Sequence, residues 1–278
     1  IIGVIAEIYH FMRDVFLMHP LEISRVFEEW NNAFGSFLLR AAVGVVNAVD
    51  EMTQMPYVDI ILDVAEQKGT GLWFSQTSLE LGIPTLTVAS SVSSRIISTF
   101  KELRRKISSK SKCNYMRRKD LELTEELINL LKDTFLFVNY MAFTEGLWLL
   151  AKASRDFEFN IRIKNVLKVW RKGSILESEF LDTLISLDLD GQECLLENQD
   201  VLRNIQKLYT SATEVSDFAK RFCIPTPVVD AAKNLYLSLA SGTLPANLVQ
   251  GIRDWFGYHG FYRVDNPGKI FHFEKDKK

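Results

Sequence analysis

Apolar residues return every three or four positions along almost the whole chain. Ile5, Ile8, Tyr9, Met12, Val15 and Phe16 do so near the start. Leu127, Leu130, Leu131, Phe135 and Val138 repeat the spacing in the middle, and Ile163, Val166, Leu167 and Trp170 beyond it. That spacing collects them on one stripe of a helix, and such a stripe must be buried against another element. Helix-start signals punctuate the pattern at Pro20-Leu-Glu-Ile, at Thr124-Glu-Glu and at Pro245 after Thr243. Residues 57–65 and 72–81 read as further apolar helical stretches. Strand-like alternation is scarce: residues 86–88 are short, and residues 269–273 are the best candidate. The expected fold class is all-α, with a short tail or ribbon at the C-terminus. The length of 278 residues is enough to bury a sizeable core.

The chain also resembles itself at long range. Trp30 and Trp170 each stand at the end of an amphipathic stretch, and each is followed by Gly-Ser (Gly35-Ser36, Gly173-Ser174). At matching distances beyond come Ile83-Pro84-Thr85 and Ile224-Pro225-Thr226, each leading into a helix with proline near its first turn. This suits a duplicated multi-helix unit, residues 1–120 and 121–250, whose halves bury one another's apolar faces within one large helical domain, 1–278. Residues 251–278 form a tail. The helical pattern is already under way at Ile1, with no cap and no methionine, so the start reads as the edge of a fragment.

Charge and cysteine usage narrow the function. The net charge of −2 gives no global attraction to nucleic acid or an anionic membrane, so any anion site must be local. Cys113, Cys194 and Cys223 are too scattered for a disulfide framework and lack metal spacing, which suits a reducing, cytoplasmic setting. No metal is expected. No apolar run reaches membrane-spanning length; the nearest, residues 37–49, contains Arg40 and Asn47. No signal peptide is visible.

Three basic islands invite an anion. Gln67-Lys68-Gly69-Thr70-Gly71 precedes a helical stretch: glycines let backbone approach a ligand, a helix N-terminus favours negative charge, and Lys68 and Thr70 add donors. Its bland alternative is a glycine turn with a solvated lysine. Arg95 stands on the helix after the first Ile-Pro-Thr, among Ser90, Ser91, Ser93, Ser94 and Ser98, where the second copy has Tyr236. A charge present in one copy alone suggests a task beyond packing. The third island holds Arg253 and His259 around Trp255, Phe256 and Gly257. Arginine offers a bidentate fork for phosphate and histidine a pH-sensitive donor. A fourth basic run, residues 101–119, reads either as a phosphate or nucleic-acid patch or as a solvated helix end.

Several of these segments together carry a family resemblance. Asp63-Val-Ala-Glu-Gln-Lys-Gly-Thr-Gly-Leu-Trp, the helix with Arg95, and Arg253-Asp-Trp-Phe-Gly-Tyr-His259 followed by Phe261-Tyr-Arg-Val-Asp resemble the C-terminal all-helical domain of 6-phosphogluconate dehydrogenase. Phe27-Glu-Glu-Trp-Asn and Val169-Trp-Arg-Lys-Gly-Ser-Ile fit the same family in the same order. The resemblance implies that Lys68, Thr70 and Arg95 bind 6-phosphogluconate. It implies a homodimer in which Arg253 and His259 of the partner subunit complete each pocket. It also implies NADP as cofactor, bound mainly by an N-terminal Rossmann domain that would precede Ile1, together with the lysine and glutamate that act as base and acid. No catalytic residue is then expected within this chain, and no nucleic-acid or membrane partner.

The chain departs from the family pattern at Glu66, Leu72 and Phe74, and near Glu177. Glu66 places a negative charge beside an anion loop. These changes leave room for an alternative: a stand-alone, non-catalytic helical interaction or sugar-phosphate-sensing protein.

Overall fold

The computed structural model describes residues 1–66, 69–111, 121–187, 189 and 191–273. Among the described residues it contains thirteen α-helices and one two-stranded ribbon. The first seven helices are α1 (Ile2–Val15), α2 (Pro20–Phe34), α3 (Phe37–Asn47), the single turn α4 (Tyr57–Ile60), α5 (Thr70–Glu80), α6 (Leu86–Thr99) and α7 (Lys101–Ser108). Then come α8 (Glu125–Asp156), α9 (Ile163–Arg171), α10 (Phe180–Ser186), α11 (Gln199–Arg221), α12 (Pro227–Ala240) and α13 (Ala246–Gly257). Strands β1 (Phe261–Arg263) and β2 (Asn266–Phe271) pair antiparallel, with Phe261 opposite Phe271. Two compact units divide the chain at residues 1–235 and 236–278.

The predicted apolar stripes form the core of the larger unit. Ile5, Ile8, Met12 and Val15 of α1 are buried, as are Phe27 and Trp30 of α2 and Leu131, Phe135 and Val138 of α8. Trp30 stacks obliquely against Phe27 and Phe135. The start signals act through specific bonds. The His19 ring and the Glu22 carboxylate form a capping box that opens α2 at Pro20. The Thr124 hydroxyl accepts the Leu127 N–H at 3.2 Å to open α8. By length and composition α8 could cross a bilayer, but 67% of its most apolar window is buried inside the fold, which makes it the central core helix.

One arrangement was not visible in the sequence. The Glu7 carboxylate on α1 accepts the N–H groups of Val228 and Val229, at 2.7 and 3.2 Å, and so caps α12. The Glu145 carboxylate on α8 accepts those of Thr87 and Val88, at 2.6 and 3.0 Å, and so caps α6. The two donor pairs stand at the same step past each Ile-Pro-Thr. Each carboxylate satisfies orphan amides at a helix start that would otherwise be buried without partners. Burial pushes both acids up to about 7, against the bonds that favour the charged form.

Three local expectations need correction. Residues 57–65 are not one helix; only α4 forms, and 61–66 are irregular. Ile60, Ile61 and Leu62 are 41%, 58% and 61% exposed, so their spacing matches no buried face. Residues 86–88 are the first turn of α6, because Glu145 supplies the acceptors its amides need. The ribbon's second strand begins at Asn266, ahead of the expected residues 269–273, and ends at Phe271. Among the described cysteines, Cys194 is a free thiol and Cys223 is disulfide-bonded, whereas Cys113 lies outside the described residues.

Candidate anion site

Helices α5 and α6 form a hairpin around Ile83-Pro84-Thr85. The Ser78 and Thr85 hydroxyls share a hydrogen bond at 2.6 Å, and the Ile83 N–H donates to the Ser78 carbonyl at 2.8 Å. So short a connection makes the helices antiparallel neighbours. The first turn of α5 therefore runs beside the middle of α6. There Gly71 packs so closely that a Cβ would lie 2.8 Å from Cγ2 of Val92. Gly69 takes φ +108°, a conformation that side chains strain to adopt. It opens α5 without a side-chain cap, leaving the first amides of the helix available to a ligand.

The other end of this loop touches α6 nearly two turns further on. The Ala65 N–H donates to the Ser98 hydroxyl at 2.8 Å, and that hydroxyl donates to the Arg95 carbonyl at 2.6 Å. The loop thus meets α6 at Val92 and at Ser98, and Arg95 lies between the two contacts. Thr70 is exposed and Arg95 is half-buried. The Arg95 guanidinium has no hydrogen bond or ion pair among the described residues, so its fork is available to a ligand. Thr70 thus adjoins the Gly71–Val92 contact, and Arg95 stands three residues beyond Val92 on α6. Lys68 lies outside the described residues.

Arg253 and His259 lie in the smaller unit, at the end of α13. Arg253 is exposed and donates to the Gln250 amide oxygen at 3.2 Å, a neutral partner that leaves its charge unbalanced. The His259 ring is also exposed and lies against Gly257, where a Cβ would come within 2.8 Å of it. The turn is held by Asp254, a buried side chain that sequence reasoning assigned no role. Its carboxylate accepts the N–H groups of Gly260 and Phe273, each at 2.7 Å, and pairs with His272 Nδ1 at 2.7 Å. Burial raises the acid, and these three bonds more than reverse that, leaving it below the usual carboxylate range.

The departures and the fourth basic run also have places. Glu66 is exposed, and Leu72 and Phe74 are half-buried. In the described part of the run, Lys101 and Arg104 pair with Asp63, and Arg105 with Glu102. Those charges are spent within the chain, which favours the bland reading of this segment. Residues 112–120 lie outside the described residues. The contacts of Asp63 and Ser98 could not be foreseen, because no sequence spacing links partners 41 and 33 positions apart.

Comparison with known proteins adds to this geometry. The family model described as 6-phosphogluconate dehydrogenase, C-terminal domain, matches residues 1–275. "6-phosphogluconate dehydrogenase, decarboxylating" of Lactococcus lactis subsp. lactis is 35% identical over 97% of this chain and 57% of its own length. The Bacillus subtilis protein named as NADP(+)-dependent and decarboxylating is 32% identical over 97% of this chain and 58% of its own length. Among solved structures, Plasmodium falciparum 6-phosphogluconate dehydrogenase matches with a TM-score of 0.91 and 29% identity, covering 98% of this chain and 59% of that one. Its description covers an apo form and complexes with NADP+ and with 6-phosphogluconate. The chain spans little more than half the length of these relatives.

Proposed function

From the premise that the chain belongs to the family of 6-phosphogluconate dehydrogenase C-terminal domains, we propose that it is the substrate-binding and dimer-forming part of an NADP-dependent 6-phosphogluconate dehydrogenase. The observation that carries this reading is the placement of Arg95 between the two points where the Gly-Thr-Gly loop meets α6. An uncommitted guanidinium, the Thr70 hydroxyl and the uncapped amides of α5 suit the oxygens of a phosphate or carboxylate. Lys68 adds a second cation in this reading. Arg253 and His259 of the partner subunit complete the pocket.

Apolar faces left open on both units support a second copy as partner. Ile96, Phe100, Leu103 and Ile107 are exposed along α6 and α7, and Leu248, Ile252 and Trp255 along α13. Exposed stripes at helical spacing mark association surfaces. The proposed setting is the cytoplasm. The described residues hold no parallel sheet with a glycine-rich turn, so they do not fit a dinucleotide. What this chain supplies is capture and orientation: charge and hydrogen bonds fix the sugar phosphate so that its reacting carbon is presented in one pose.

The test is subunit mixing. Arg253→Ala in the full-length protein is expected to raise KM for 6-phosphogluconate by about tenfold or more, with stability nearly unchanged, since charged hydrogen bonds contribute about 1.5–3 kcal/mol. Arg95→Ala is expected to do the same. Mixed dimers of the two variants regain one intact pocket, and activity returns. Failure to recover activity on mixing rejects the two-chain pocket.

A further inference from the structure

We infer that Asp63 is a positioning residue for this anion site; the inference rests on the substrate reading above. Gly69 enters α5 at φ +108°, and fixing a glycine in that conformation costs entropy. Something outside the glycines must fix it before ligand arrives. Asp63 stands at the loop's entrance, and its carboxylate takes Lys101 Nζ on one oxygen and Arg104 Nη1, at 2.9 Å, on the other. Arg104 Nη2 reaches two backbone carbonyls as well, that of Asp63 at 3.1 Å and that of Ser98 at 2.9 Å. Ser98 in turn joins the Ala65 N–H to the Arg95 carbonyl.

Asp63, Arg104, Ser98 and Arg95 thereby form one continuous chain of bonds between the loop's entrance and the turn that bears the anion-binding guanidinium. A single exposed ion pair would contribute little. Here the planar fork of Arg104 grips a carboxylate and two carbonyls at once, which fixes direction as well as distance. The hydrogen bond from Lys101, followed by that from Arg104, holds the Asp63 carboxyl below its ordinary range, so it stays charged near neutrality. The fourth basic run gains a task from this: its first two charges clamp the loop rather than meet an external polyanion.

The experiment measures 6-phosphogluconate binding by calorimetry, and KM and kcat, in the full-length protein. Asp63→Asn is expected to raise Kd and KM about tenfold, as small misplacements of binding groups do, with kcat changed less than about twofold. Adding Arg104→Gln is expected to cost little more, because both changes break the same clasp. Asp182→Asn removes a different surface pair, with Arg171 at 2.8 Å, and is expected to leave Kd unchanged. An unchanged Kd in Asp63→Asn, with Arg95→Ala losing affinity, overturns the positioning role, and so does an equal loss in Asp182→Asn. An unchanged Kd in both Asp63→Asn and Arg95→Ala overturns the substrate reading itself, and the inference with it.

Discussion

Glu66 puts a carboxylate just ahead of a loop suited to anions, and it is exposed to water. Across several ångströms of water such a charge costs a bound anion about 1 kcal/mol or less. Salt weakens the effect further, with a Debye length of about 10 Å at 0.1 M and about 3 Å at 1 M. Glu66→Gln is therefore expected to tighten 6-phosphogluconate binding by up to about fivefold at low ionic strength, with the gain fading toward about 1 M salt. Calorimetric titration of both forms across a salt series measures this, and a gain that persists at high salt would assign Glu66 a role other than repulsion. At this scale, Thr70 and Arg95 stand out in the sequence because each sits in a local pattern, a glycine-flanked helix start and a lone charge in a small-residue helix. Asp63 and Asp254 were not. Their partners are chosen by tertiary packing, and an acidic residue in an ordinary stretch gives no local sign of what it will grip.

Helices α6 and α12 begin under buried glutamates, and that makes the fold pH-sensitive in a definite direction. Glu7 and Glu145 have an ordinary value of 4.5 and are raised to about 7 in the folded chain. The folded state then binds more protons than the unfolded state between those values, so stability falls as pH rises through that window. The contribution is complete below about pH 4.5 and gone above about pH 7, and amounts to roughly 3 kcal/mol for each acid at most. Urea titrations of wild type and of the Glu7→Gln/Glu145→Gln variant at about pH 5 and about pH 8 check this; the variant is expected to show the smaller pH dependence, and an equal slope in both would refute it. Element types were largely legible, since the three-to-four spacing read for α1 and α8 matches their buried faces. Residues 57–65 misled because their spacing is not backed by burial. Residues 86–88 misled because β-branched Thr87 and Val88 resemble a strand until a distant acid caps them.

For the whole molecule, the proposed two-chain pocket requires association. Trp30 is fully buried and so contributes to the core rather than to a partner, whereas Trp73 and Trp255 are 64% and 60% exposed. We predict a dimer in sedimentation at micromolar concentration, with an interface above the roughly 1,600 Å² of standard complexes; a monomer there would contradict it. The internal duplication was suggested by tryptophan and Ile-Pro-Thr anchors. We propose that the crossed pair of glutamates is its physical counterpart, each half capping a helix of the other. That crossing has a cost during synthesis. The bond from Val228 to Glu7 spans 221 residues, so the acceptor leaves the ribosome long before its donor exists. At about 5–20 residues per second, Glu7 waits on the order of ten seconds or more beside unfinished chain. Until the Val228 and Val229 amides emerge the Glu7 carboxylate stays solvated and charged, so the contact that ties α1 to the start of α12 is among the last of this chain to close.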